Sequence, residues 1–472
     1  MSRNAHRLTA AAIFSVMGFA SPVLADVTAA VPTTQQVQDE IQQLQAKVDQ
    51  LQARDASTGT PTFNFKTNAS NTGVGVNDVV SSISSNWDGT RFSLATEDGN
   101  FTLHTGIVLD VRDMTSYREN VPTKNAGEVS AIGNDTQNGI DLTRARLIFD
   151  GTFFQQAGYF VQFSADQGAS VTLLDAVASY RFGDSPFSVK VGQFKDPVWH
   201  ERNVSEANLL AVDRSLTEAF LAGGQGSRIQ GAALIYAQDR VRAQVVAHDG
   251  FNSQNTKFFD AGGVGAGVGG ESGVTPTDFG FSGRAEYMLI GDRSDKFNPF
   301  NEYEQFTSLH AKQDILVAGG GADFTQAGSN DLLAHSADLQ FNSVSGLALY
   351  GAYLGTYRSI HTNQGVPVGY YYDSGFLAQA SYVLCQHFEP FIRYDWTHFD
   401  PSSTRAVAGL NSHLLQELTA GANYYIFGQK LKLTLDGSWL PNGSPADSDA
   451  LGVLRDSGKY EFVLRTQVQI AI

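Results

Sequence analysis

Cysteine occurs once in 472 residues, at Cys385, so neither an intramolecular disulfide framework nor a multi-cysteine metal site holds this chain together. Charge is also scarce. Asp, Glu, Lys and Arg make up 17% of the sequence, below the usual quarter, and 32 Lys+Arg stand against 48 Asp+Glu for a formal charge of −16. With no basic surplus to neutralise phosphates, the composition argues against a nucleic-acid partner. Neither Gly-x-Ser-x-Gly nor His-Glu-x-x-His occurs, and the ten His are scattered without metal-ligand spacing. The sequence therefore points to no enzyme and no cofactor; the enzymatic alternative is an outer-membrane hydrolase built on a barrel, which needs a Ser–His pair with an orienting partner. Beyond the first 25 residues no apolar run reaches the ~18 to 20 residues of a spanning helix. What is abundant is Gly (47), Phe (31) and Tyr (17).

Four segments follow from local pattern. Arg3, His6 and Arg7 precede an apolar run from Leu8 to Phe19, and Val23-Leu24-Ala25 ends it in the manner of a signal-peptidase site, so 1–25 is expected to be an export signal. Residues 26–58 contain a heptad seam, with Val37, Ile41, Leu44, Val48 and Leu51 spaced alternately four and three apart among Gln, Asp, Glu and Lys. A Gln-rich helix this short is marginal alone, which favours self-association through those five residues over a solitary helix packed on a domain. Residues 59–100 are expected to be a polar linker ending in a hairpin, whose turn is Glu97-Asp98-Gly99-Asn100. Residues 101–472 carry period-two alternation.

That alternation is clearest at the end of the chain, where Tyr460, Phe462, Leu464, Thr466, Val468, Ile470 and Ile472 share one face and Glu461, Arg465, Gln467 and Gln469 the other. Sixteen strands are expected, near 101–117, 139–154, 157–166, 171–182, 187–195, 228–237, 240–249, 279–289, 312–325, 333–342, 346–358, 372–384, 387–399, 413–426, 430–440 and 459–472. Most approach or exceed the ~9 to 11 residues of a tilted spanning strand, against ~5 to 6 in a sandwich. Links of two to four residues follow the even-numbered strands and long links follow many of the odd ones. This asymmetry marks an all-β fold, a transmembrane antiparallel β-barrel of about sixteen strands, with the short N-terminal coiled coil on the short-turn, periplasmic side. The link 290–311 fits poorly, being long on the short-turn rim.

Three stretches carry a family resemblance: Ser93-Leu94-Ala95-Thr96-Glu97-Asp98-Gly99-Asn100-Phe101, Arg144-Ala145-Arg146-Leu147-Ile148-Phe149-Asp150-Gly151 and Val191-Gly192-Gln193-Phe194-Lys195-Asp196-Pro197. Through them the chain, over roughly 89–472, resembles the phosphate-selective porins O and P of Gram-negative outer membranes. The resemblance implies a sixteen-stranded barrel, usually trimeric, that passes phosphate or other small anions through a lumen narrowed by an inward-folded loop. Ending in Ile472 rather than Phe is a departure from the common barrel terminus.

If apolar side chains face lipid, the opposite parity faces water. It holds Arg112, Arg144, Arg146, Arg181, Lys190, Arg242, Arg284, Arg393 and Lys432 as candidates to line the pore, with Lys430 and Arg465 beside them and a nearly equal set of carboxylates. Arginine suits an oxyanion path because its planar fork bonds oxyanions in pairs; the bland alternative is that each Arg pairs with a carboxylate across the wall. The longest loop, 196–227, is the candidate constriction, with Lys195, Glu201, Arg202, Arg214 and Arg228 as its key charges. Its Asp196, Glu201, Glu206, Asp213 and Glu218 would repel anions unless they turn to the wall. A general, non-anion-selective porin and a tether to the cell wall remain alternatives.

Overall fold

The computed structural model describes residues 91–118, 136–166, 170–222, 228–256, 277–293, 298–361, 368–402, 413–443 and 460–472 in full, and the backbone of short strands at 83–87, 124–125 and 128–129. All belong to one compact unit, Pro61–Ile472. The export signal and the heptad seam lie outside the described residues.

Among the described residues twenty strands form, in chain order: β1 Ile83–Trp87, β2 Phe92–Thr96, β3 Phe101–Arg118, β4 Lys124–Asn125, β5 Glu128–Val129, β6 Thr136–Phe153, β7 Ala157–Ser164, β8 Thr172–Arg181, β9 Phe187–Lys195, β10 Arg228–Gln238, β11 Val241–His248, β12 Phe279–Ile290, β13 Ile315–Ala327, β14 Asn330–Asn342, β15 Leu347–Ile360, β16 Gly369–Tyr382, β17 Phe388–His398, β18 Leu414–Phe427, β19 Leu431–Leu440 and β20 Glu461–Ala471. Sixteen of them, β3 and β6 to β20, build an antiparallel barrel in which each pairs with the next and β20 closes on β3, from Ala471↔Val108 to Glu461↔Arg118. The short pair β4 and β5 stands apart from this sheet.

β2 is the hairpin arm read from the sequence, and it does not add a seventeenth position to the circumference. Its partners on β3 run from Phe92↔Thr105 to Ala95↔Thr102, just below the stretch taken by β20. The chain end sits between them: the Ile472 amide donates to the Ile107 carbonyl at 2.9 Å and its carbonyl accepts from the Ile107 amide at 2.7 Å. The two strands thus share one edge of β3, and the even count survives. The linker expectation fails at its end, because Ile83–Trp87 pairs with β2 as β1.

Parity around the wall follows the sequence pattern. Along β20 the residues alternate buried and exposed, with Glu461, Arg465, Gln467 and Gln469 turned in and Phe462, Leu464, Val468 and Ile470 turned out. Exposed aliphatic side chains such as Ile107, Leu147, Val191, Val245, Leu339, Ile392 and Leu435 form the outer band. Aromatic contacts flank it: Phe153 with Tyr159 and Phe187 with Tyr236 toward the short-turn rim, Phe279 with Phe324, Phe376 with Trp396 and Trp439 with Phe462 toward the other. An apolar band between two aromatic girdles is what a bilayer and its two interfaces require of a barrel.

Glycine is sterically required where β8 meets β9. At Gly192, where φ is 126°, an added Cβ would fall 2.0 Å from the Ala176 carbonyl oxygen, so β8 and β9 approach there as only glycine allows. The awkward link on the short-turn rim also finds its explanation. Within it, α3 (Phe300–Tyr303) and the residues up to Leu309 fold inward, with Tyr303, Phe306 and Leu309 buried.

Candidate functional site: the barrel interior

Two segments fill the interior from opposite rims. From the long-loop rim comes 196–222, which carries α1 (His200–Asn203), a 3₁₀ turn (Glu206–Asn208) and α2 (Leu216–Leu221). Ser215 caps α2, its hydroxyl accepting from the Glu218 amide at 3.3 Å and also meeting Asp395 of β17. Apolar residues of this segment, Val198, Trp199, Val204, Leu209, Leu210 and Leu221, pack on inward-facing Leu332, Tyr350, Leu354, Leu377 and Phe391 of β14 to β17. On this side of the barrel the inner face is therefore apolar as well, which strict parity reasoning does not anticipate.

The second segment, 298–311, meets the first. His200 of α1 stacks on Tyr303 of α3 with ring centroids 3.8 Å apart, and its Nε2 lies 2.9 Å from Gln340 Oε1. Asn208 donates to the Glu304 carbonyl at 2.9 Å, and Tyr303 donates to Asp338 at 2.9 Å. The interior beside β12 to β17 is thereby packed with side chains.

Two acidic residues of 196–222, Asp213 and Glu206, meet arginines of the wall. Asp213 accepts two bonds from Arg112, at 2.8 and 2.9 Å, and lies 3.5 Å from both Arg144 and Arg465. Burial pushes its carboxyl up, but Arg112, Arg465 and Arg144 together outweigh burial and hold it below the ordinary Asp range. Glu206 meets Arg146 at 2.8 Å, Arg214 at 3.2 Å and Lys195 at 3.9 Å. Burial is again outweighed, here by Arg146, Arg214, Lys195 and Arg144, so this carboxyl sits well below the ordinary Glu range. Glu201 moves the other way: burial and the adjacent Glu218 push it well above that range against the pull of Arg393 and Arg214. The loop is thus less anionic toward open space than its composition suggests.

Each cation named from the sequence has a definite place. Arg112, Arg144, Arg284, Arg393 and Lys432 point inward and are buried against the infolded segments and neighbouring strands. Arg144 bonds Asp110 at 2.8 Å, Arg284 bonds Asp338 and Glu286 at 2.8 and 2.7 Å, and Arg393 lies 3.0 Å from Asp395 and donates to the Asp213 carbonyl at 2.7 Å. Lys432 donates to the carbonyls of Ala207 and Leu209 at 3.1 and 2.7 Å. The physical reason is the same throughout: buried guanidinium and ammonium groups need acceptors, and the inward segment supplies or completes them. Arg465 belongs to the same covered set, bonding Asp436 at 2.7 Å. Arg242 is half-buried between Glu286 and Glu304. Arg181 ends β8, exposed at the short-turn rim. Lys430 lies in the turn before β19.

Of the loop charges, Arg202 is 3.8 Å from Glu218, and Arg214 donates to the carbonyls of Arg202 and Val204 at 3.1 and 2.6 Å. Arg228, the first residue of β10, grips Asp175 through two bonds of 3.1 and 2.9 Å. Features that the sequence reading missed are Tyr303 and its segment, the pair Arg358–Asp373 at 2.6 Å and the pair His248–Asp323 at 3.0 Å.

Open space remains on the other side of the interior, against β3 and β6 to β9, as a cavity of about 450 Å³. Its charged walls are Arg146, Lys190, Lys195, Asp175 and Glu206. Lys195, at the end of β9, donates to the Val204 carbonyl at 3.2 Å. Lys190 Nζ stands 4.1 Å from the centre of the Phe194 ring and, among the described residues, has neither a hydrogen bond nor an ion pair.

A sixteen-stranded barrel with a lipid-type outer band, aromatic girdles and an interior narrowed by an infolded loop is the architecture that porins share. Residues 127–288, about a third of the chain, match the family model described as Phosphate-selective porin O and P. Among solved structures it is similar to an anion-selective porin from Comamonas acidovorans, at 12% identity and a TM-score of 0.50 over 79% of this chain and 100% of that one. It is also similar to the outer membrane channel DcaP of Acinetobacter baumannii (10% identity, TM-score 0.47, 78% and 97% covered) and to OmpF of Salmonella typhi (13%, 0.49, 79% and 98%). No curated protein matches the chain.

Proposed function

We propose that this porin lets small anions, phosphate among them, diffuse passively along β3 and β6 to β9, past Arg146, Lys190 and Lys195. The observation that carries this is the local imbalance of charge. Arg146, Lys190, Lys195, Arg214 and Arg228 surround or back the cavity, against Asp166, Asp175 and Glu206. A cation left over in a narrow, low-dielectric passage attracts anions far more than it would in bulk water. The overall −16 does not oppose this, since Asp213 and Glu206 of the inward loop are engaged by the wall. In planar bilayers, a gradient of KCl across the purified protein is expected to give a reversal potential of the sign set by chloride. A potential set by potassium would refute anion preference and leave a general porin.

The remaining sequence segments complete the proposal. Residues 1–25 direct export and are removed; 26–58 lie in the periplasm and associate through Val37, Ile41, Leu44, Val48 and Leu51, supporting a homotrimer embedded in outer-membrane lipid. Deleting residues 33–54 is expected to lower the mass of the native oligomer, and an unchanged mass would speak against this role.

A further inference from the structure

The composition of the passage carries information beyond the sign of its charge. Besides its charged residues and Gln162, Asn203 and Ser205, the cavity is walled by Val108, Ile148, Phe160, Val177 and Phe194. Phe160 stands on β7 between outward-facing Tyr159 and Val161, and it is paired across the sheet with Asp150 of β6, whose carboxylate meets His104 at 3.1 Å. Phe194 packs with Ile229, Ala233 and Val246 and carries Lys190 over its ring. So the cations and the apolar side chains are not segregated to different depths; they are interleaved on the same strands.

Such a wall suits some anions better than others. Inorganic phosphate offers oxygen atoms on every side, and each one turned toward Phe or Val loses water without gaining a donor there. A carboxylate attached to an apolar body offers oxygens at one end only. That end meets Arg146, Lys190 or Lys195, while the body takes the place of water against Phe160, Phe194 and Ile148 and gains from the apolar area it covers. Orientation of a ligand by a few polar groups within a largely apolar wall is the usual character of a small-molecule site.

Resting on the anion-passing reading above, we infer that the passage discriminates among anions in favour of organic monocarboxylates with an apolar or aromatic body, over inorganic phosphate of similar size. The basis is the juxtaposition of Lys190 with Phe194 and of Arg146 with Phe160 on adjoining strands.

The test uses the purified full-length porin in planar bilayers, with sodium benzoate, sodium phosphate and sodium chloride as probes at one pH. Benzoate permeability relative to chloride, corrected for mobility in water, is expected to exceed that of phosphate at least about threefold. Phe160→Ser is expected to bring that ratio down toward one while leaving the chloride-to-sodium ratio unchanged, because no charge is altered. Equal permeabilities of benzoate and phosphate would overturn the inference and leave the anion preference intact, whereas a sodium-set reversal potential would overturn the anion preference itself. A benzoate advantage that persists undiminished in Phe160→Ser would overturn the assignment to this wall. The comparison in the unaltered protein decides the matter even if the variant fails to fold.

Discussion

Replacing Lys190 and Lys195 together by Glu is expected to convert the channel from anion-preferring to cation-preferring, reversing the sign of the potential in a KCl gradient. The two side chains face the same cavity, Lys190 over the Phe194 ring with neither a hydrogen bond nor an ion pair among the described residues and Lys195 3.9 Å from Glu206. Unit charges about 4 Å apart interact by roughly 1 kcal/mol in water and by about 4 kcal/mol at the effective dielectric near a protein surface. Inverting two of them therefore outweighs what Arg146 contributes, since Arg146 is already committed to Glu206 at 2.8 Å. Lys190→Glu alone is expected to give an intermediate shift, and because Lys190 holds no ion pair it leaves the packing of the loop in place. A double variant that stays anion-preferring would mean that ions travel by another route.

The second large effect is expected at Asp213. Its side chain is 4% exposed and binds Arg112 through both oxygens, with Arg144 and Arg465 at 3.5 Å. In Asp213→Asn the shape persists while the charge is lost. Arg144 keeps Asp110 and Arg465 keeps Asp436, so the cost falls chiefly on Arg112. Breaking a buried pair of this kind costs about 3–5 kcal/mol. The loop should then loosen from β3 and β20, seen as noisier single-channel current and a lower urea midpoint. The sign of the pH dependence follows from the depressed carboxyl of Asp213: the anchoring is complete above the ordinary Asp value of 3.8 and is lost only as pH falls through the lower folded value. At pH 5 the unaltered protein should accordingly stay quiet while the variant is noisy. Quiet traces and an unchanged midpoint in the variant would remove Asp213 from this role.

Most of the wall was legible in the sequence because lipid imposes one rule on every strand. Wherever Leu431, Leu433 and Leu435 alternate with Lys432, Thr434 and Asp436, the outward set must be apolar, and the structure keeps that register. The interior obeys no such single rule. Leu332, Tyr350 and Phe391 face inward because an infolded segment covers them, and a covering partner brought from far along the chain leaves no period to detect. The same holds for the carboxylates: Glu206 and Asp213 look anionic in a list of loop residues and become wall anchors only once Arg146 and Arg112 are opposite them. Parity likewise does not tell a paired cation from an unpaired one, and Arg284 and Arg393 are paired with Asp338 and Asp395. The second inward segment did leave a trace, an overlong link on the short-turn rim containing Phe300, Tyr303 and Phe306. The meaning of that trace depended on His200 meeting Tyr303, a contact between residues about a hundred apart.

The most direct test of the route is thiol accessibility in the open channel. In a Cys385→Ser background, which removes the single native thiol, Lys190→Cys and Thr356→Cys place one cysteine on each side of the interior. Thr356 is buried beneath α2, donating to the Leu221 carbonyl at 3.3 Å. An anionic methanethiosulfonate reagent added to bilayers is expected to cut the conductance of Lys190→Cys and to leave Thr356→Cys unchanged. Block of Thr356→Cys with Lys190→Cys untouched would contradict a passage along β3 and β6 to β9.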